Sequence, residues 1–265
     1  MYKQFFGFST EPFAPDIETT QLFKSDSYKE LQKRFDYICA HRGIMLLSGS
    51  PGAGKTTAIR ALLSKINKKI FLPIYLPLST VSVFEFYRQI NSQLGGQEAY
   101  YKTEIYKSIQ QQILDHVSSR NITPIVVLDE AHLLKEQNFQ ELQIITNFKM
   151  DSYMPAVFIL VGQPLLAKRI RSQALESFNQ RITIRHELLT MTEEECKKYI
   201  LHNLSIAGRS DRILTDAAYS VVFQISKGVS RTIGRIINSA LRVAAEKNIP
   251  TIDENDILEI AKEIY

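Results

Sequence analysis

The sequence predicts an α/β domain on a five-stranded parallel sheet, followed by a small all-helical domain. Three observations carry this. Short, β-branched apolar runs alternate with longer stretches of helical period through the first 188 residues. After Leu188 the strand-like runs stop. At 265 residues and 45% apolar, the chain can bury roughly three quarters of its unfolded surface without cross-links.

The elements follow in order. The opening carries Phe5, Phe6, Phe8 and Phe13, an aromatic segment within residues 1–25 that reads as a hydrophobic clasp. Strands are expected at Ile44–Ser48, Ile70–Pro77, Ile125–Asp129, Ala156–Val161 and Ile182–Glu187. Each is nearly continuously apolar over at least four residues, as for strands covered on both faces. The fifth alternates, and reads as an edge. Ile105, Ile109, Ile113 and Val117 recur at helical spacing between the second and third strands. Beyond the boundary, helices are expected at Thr192–Ala207, Thr215–Ser226, Ser230–Lys247 and Asp253–Ile264. Thr192 with Glu195 forms a capping box, and Gly208 is placed to end that helix. The domains are therefore expected at 1–188 and 189–265.

Composition excludes several classes. Two cysteines, Cys39 and Cys196, lie far apart and in no metal-type spacing, so neither a disulfide framework nor a cysteine zinc site is expected. Apolar runs such as Ile44–Leu47 and Ile125–Leu128 fall far short of the ~20 residues that span a membrane. The N-terminus lacks the pattern of a secretory signal, and a soluble cytoplasmic protein is the expectation. Net charge is +4, with the excess in the first 188 residues (22 basic against 17 acidic). Lys168, Arg169, Arg171, Arg181 and Arg185 crowd one stretch with a single acid, Glu176. That run reads equally as a solvated face or as a surface for a polyanion.

The chemistry-bearing motif is Gly49-Ser50-Pro51-Gly52-Ala53-Gly54-Lys55-Thr56-Thr57, which fits G-x-x-x-x-G-K-[ST] between a strand and a helix. Triphosphate oxygens need several backbone N–H donors at one spot, and glycines let the chain curl that closely. Lys55 then neutralises the β/γ-phosphates, and the Thr56 hydroxyl ligates Mg²⁺. The run Ile125-Val126-Val127-Leu128-Asp129-Glu130 delivers Asp129 at a strand's carboxyl end, the place for a second Mg²⁺ ligand. Glu130 suits a general base for the attacking water, which favours ATP hydrolysis over mere binding. Gln163, at the end of a neighbouring strand, can reach the γ-phosphate or the lytic water.

Together with the opening Phe5-Phe6-Gly7-Phe8…Pro12-Phe13, these motifs resemble AAA+ ATPases of the ExeA/TnsC-like family. Leu160-Val161-Gly162-Gln163-Pro164, Asn179-Gln180-Arg181-Ile182 and Gly228-Val229-Ser230-Arg231 carry the likeness across nearly the whole chain. Within it, the chain looks most like the transposon-encoded ATPases that select targets and regulate a DDE transposase. Secretion ATPases of the ExeA type and replication-type loaders are the alternatives. The resemblance implies a P-loop AAA+ fold with a helical lid, ATP and Mg²⁺ as cofactors, and a homo-oligomer, ring or filament. It implies an arginine finger at Arg181, reaching a neighbour's γ-phosphate, and a γ-phosphate sensor at Arg231. It also implies ATP-dependent, nearly sequence-blind binding to duplex DNA, a transposase and a target-selection adaptor as partners, and no membrane. Lys102, Thr103 and Lys107, opening the helix after the second strand, are the DNA candidates. No helix-turn-helix, zinc finger or aromatic RNA platform is apparent.

Overall fold

The computed structural model describes residues 2–14, 17–77, 82–209 and 212–264; Met1 and Tyr265, outer bounds of the expected domains, lie outside them. By packing, the chain divides into two units. One comprises Glu30–Gly49 and Lys55–Leu188, the other Met1–Lys29, Ser50–Gly54 and Leu189–Tyr265.

The first unit is built on strands Gly43–Gly49 (β1), Phe71–Pro77 (β2), Thr123–Asp129 (β3), Val157–Gly162 (β4) and Ile182–Leu188 (β5). They form one parallel sheet in the order β2-β3-β4-β1-β5. The three inner strands are buried along their whole length, which is why they read as unbroken apolar runs. β5 is an edge, as its alternation suggests. β2 is the other edge, contrary to the sequence expectation of a strand covered on both faces. Phe71, Leu72 and Pro73 are only half-buried and Tyr75 is exposed. Pro73 and Pro77 fit an edge, where a missing N–H breaks no ladder.

Helix Asp26–His41 (α2) precedes β1 and runs from the other unit into this one, while Lys55–Lys65 (α3) follows β1, Val83–Gln93 (α4) and Lys102–Ser118 (α5) follow β2, and Glu136–Ile145 (α6) follows β3. Two short helices, Pro164–Ile170 (α7) and Glu176–Gln180 (α8), make the passage from β4 to β5. Ile105, Ile109 and Ile113 are fully buried against the sheet core of Val126, Leu128, Phe158 and Leu160. The helix bearing Lys102 is thus the second after β2, because α4, capped by a Ser82–Glu85 box, comes first.

In the second unit the expected helices are Glu193–Ile206 (α9), Asp216–Ser226 (α10), Ser230–Glu246 (α11) and Glu254–Ile264 (α12). Thr192 accepts from Glu195 N and Thr215 from Ala218 N, so both starts are side-chain capped. Gly208 ends α9 with φ +100. The N-terminal helix Tyr2–Phe6 (α1) belongs here rather than with the sheet, where sequence had put it. Phe6 and Phe8 are buried in a core with Ile200, Leu204, Ile233 and Ile237, a larger apolar gain than any exposed placement offers. Both cysteines are free, and burial pushes each thiol up to about 12. No described helix is long and apolar enough to cross a membrane.

Candidate nucleotide site

At the carboxyl ends of the sheet, the first unit gathers one half of the motif. Gly49 closes β1, and a Cβ there would lie 2.7 Å from the Leu188 carbonyl oxygen. Lys55 opens α3, is buried, and donates through Nζ to the Gly49 carbonyl at 2.8 Å. Thr56 Oγ1 donates to Asp129 Oδ2 at 2.7 Å. The same oxygen accepts from Tyr75 Oη at 2.8 Å, while Oδ1 accepts from Glu130 N at 2.8 Å. Asp129 is thereby fixed from three sides, at a buried strand end. Burial, then the bond to Asp129, holds the Tyr75 phenol well above its ordinary value.

Glu130 takes a left-handed backbone, φ 53, which turns the chain sharply out of β3. Neighbouring carboxylates therefore serve different places: Asp129 is buried, whereas the Glu130 side chain is 48% exposed. Glu130 Oε2 lies 3.3 Å from Nδ1 of His132, and the His132 carbonyl accepts from Arg169 on α7 at 2.7 Å. Gln163 is half-buried at the N-cap of α7, next to the end of β4, which pairs with β3.

Ser50–Gly54 packs within the second unit. The Gly52 carbonyl accepts from Ser230 Oγ at 2.7 Å and from Arg231 N at 3.2 Å. Gly52 has φ +78, and a Cβ there would lie 3.0 Å from Arg231 Cβ and 3.1 Å from Val229 Cγ1, so glycine is required twice over. Arg231 is exposed and its side chain has no ion pair among the described residues.

The remaining candidates are less free than sequence suggested. Arg181 pairs with Asp151 (Nη2 to Oδ2, 2.8 Å), donates to the Gln143 carbonyl at 3.4 Å, and leaves 18% of its side chain exposed. Lys102 pairs with Glu141 and sits 5.6 Å from the Tyr87 ring centre. Thr103 and Lys107 are exposed on the same helix.

Residues 39–170 match the family described as AAA domain. This stretch is an AAA domain. ATP with Mg²⁺ is the cofactor pair of that family, and the enzyme class is ATPase. The chain is 29% identical over 268 residues to general secretion pathway protein A of Aeromonas hydrophila, with all of this chain and 48% of that protein covered. It thus spans about half the length of that relative. The ORC2 protein of Aeropyrum pernix in its ADP form superposes with a TM-score of 0.68 at 13% identity, over 98% of this chain and 72% of that one. Drosophila ORC bound to DNA gives 0.66 at 14%, over 97% and 68%. The fold is therefore the P-loop AAA+ fold with a helical C-terminal region.

The donors present fit Mg²⁺. Thr56 Oγ1 and Asp129 Oδ2 meet as hard oxygen ligands of the kind Mg²⁺ takes together with water and phosphate oxygens. Bound there, the ion would neutralise charge on the transferring phosphate. Tyr75 and His132 escaped the sequence reading, and Arg169 entered it only as a member of the basic run. For Tyr75 the only signal was a polar tip in an apolar run; His132 stands in the readable string Asp129-Glu130-Ala131-His132.

Proposed function

We propose that this chain is a Mg²⁺-dependent ATPase that assembles with ATP into a ring or filament on duplex DNA, hydrolysis driving disassembly. In that assembly it regulates or targets a DDE transposase in the cytoplasm, helped by a target-selection adaptor. The observation that carries hydrolysis is the pair of adjacent carboxylates with separate duties. Asp129 is locked against Thr56 while Glu130 is turned out towards His132, free to take a proton from water. Backbone N–H groups of Gly49–Thr57 receive the phosphates, Lys55 neutralises them, and Thr56 with Asp129 holds the metal. Gln163 orients the attacking water, Arg231 reads the γ-phosphate, and Arg181 acts on a neighbour's nucleotide. That last role requires Arg181 to exchange its partner Asp151 for phosphate.

DNA as the platform draws support from the excess basic charge of the first 188 residues and from the DNA-bound neighbour named above. A second reading is favoured by one observation: the likeness to about half of general secretion pathway protein A supports an ATPase of envelope assembly acting on protein partners. Electron microscopy of the purified chain with duplex DNA and a non-hydrolysable ATP analogue separates the two. Ordered assemblies along DNA are expected; assembly indifferent to DNA would favour the second reading.

A further inference from the structure

Three of the five cations in the basic run that sequence left open are gathered by the fold into one place. Between α7 and β5 lies a cleft of about 470 Å³, lined by Leu46, Ser48, Pro164, Ala167, Lys168, Arg171, Arg185, His186 and Glu187. Three of these are permanent cations from two different elements. Lys168 on α7 and Arg171, the C-cap of that helix, are about one helical turn apart, so they emerge side by side. Arg185 reaches in from the edge strand, its guanidinium held by the Asn179 carbonyl at 2.8 Å.

Lys168 and Arg171 are exposed, and neither has an ion pair among the described residues. The acid in the lining, Glu187, is itself exposed and makes no ion pair with them among the described residues. Burial, then the neighbouring charge of Arg171, holds Arg185 below its ordinary value. Arg169 and Arg181 are the exceptions in the run, the first turned to the His132 carbonyl and the second paired with Asp151. On α5, by contrast, Lys102 is already neutralised by Glu141.

We propose that this cleft is a phosphate site that takes the sugar-phosphate backbone of duplex DNA, in place of the surface around Lys102. Three cations spread over two elements suit successive phosphates better than a single small anion. The proposal rests on the DNA reading above. It adds which surface makes the contact.

The test uses the full chain saturated with a non-hydrolysable ATP analogue and a fluorescent duplex, with anisotropy followed across a salt series. Lys168→Gln with Arg171→Gln should weaken binding more than tenfold at low salt. It should also flatten the slope of log affinity against log salt by about 1.8, two phosphates at roughly 0.9 each. DNA-free ATP turnover should stay at the parent's value. Lys168→Glu alone, at an exposed position, gives a second reading should the double variant fold poorly, and Arg171→Lys should keep the parent's slope. A Lys102→Gln, Lys107→Gln variant should lose at most one contact. If the parent binds DNA and the α7 variants match its slope, the cleft is wrong while the DNA reading stands. If the parent itself does not bind, both fall.

Discussion

Asp129 accepts three hydrogen bonds, and the one from Tyr75 comes from a strand that carries no other residue of the motif. Removing that phenol leaves Oδ2 held by Thr56 alone. Tyr75→Phe should therefore raise the Mg²⁺ needed for half-maximal binding of a fluorescent ADP analogue by about tenfold, near the ~1.5 kcal/mol of a hydrogen bond to a charged group. An unchanged Mg²⁺ dependence would mean that Thr56 and the backbone suffice. Lys55→Ala should lose nucleotide binding, whereas Glu130→Gln should bind normally and lose turnover, since only the base is removed. Normal hydrolysis by both would overturn the assignment. Arg181 poses a different question, because it is already paired. Arg181→Ala should lower turnover by up to roughly 10³–10⁵ with affinity intact. Asp151→Asn should raise turnover at limiting protein concentration by releasing the arginine. If it does not, the pair is structural and the finger lies elsewhere.

At the scale of elements, α11 carries the second unit. Its sequence places Arg231, Arg235, Asn238 and Arg242 along one face, with Ile233, Ile236, Ile237, Ala240 and Ala244 opposite. The apolar side is fully buried, as that pattern requires. The polar side divides instead of facing solvent throughout. Arg242 lies 3.9 Å from Glu11 and 6.0 Å from the Tyr2 ring centre, and Asn238 keeps a buried carbonyl oxygen without a partner. Only Arg231 and Arg235 remain as exposed cations without an ion pair among the described residues. Arg231→Ala should therefore weaken ATP-dependent assembly and turnover even without DNA, and Arg235→Ala should leave both near the parent's values. The reverse result would shift the sensor by one turn. Ile237→Ala should destabilise by about 2–5 kcal/mol, the usual cost of a buried aliphatic truncation. Urea unfolding measures it.

For the whole molecule, a finger acting in trans makes activity a property of the assembly. Turnover per chain should rise with protein concentration and level off once assembly is complete, measured as phosphate release over a dilution series. A rate independent of concentration would remove the trans role of Arg181. The match to an AAA domain covers residues 39–170, so the lid and N-terminal segment owe their reading to fold and packing instead.

What the sequence determined by itself is local or periodic. Gly49–Thr57 is contiguous, the inner strands are unbroken apolar runs, and Thr192 and Thr215 announce helices through neighbours three residues away. Each such signal is complete within a few residues, so it needs no knowledge of where the chain returns. The tertiary structure alone decided what depends on distant segments meeting. It made β2 an edge, sent Phe6 and Phe8 to the helical core, and brought Tyr75 to Asp129 across 54 positions. It also sorted the cations, which sequence can only count: Arg181 and Lys102 found carboxylates from remote helices and loops, while Lys168, Arg171 and Arg185 were left facing one cleft. Charge is read residue by residue, but whether it is neutralised depends on which partners packing brings within about 4 Å.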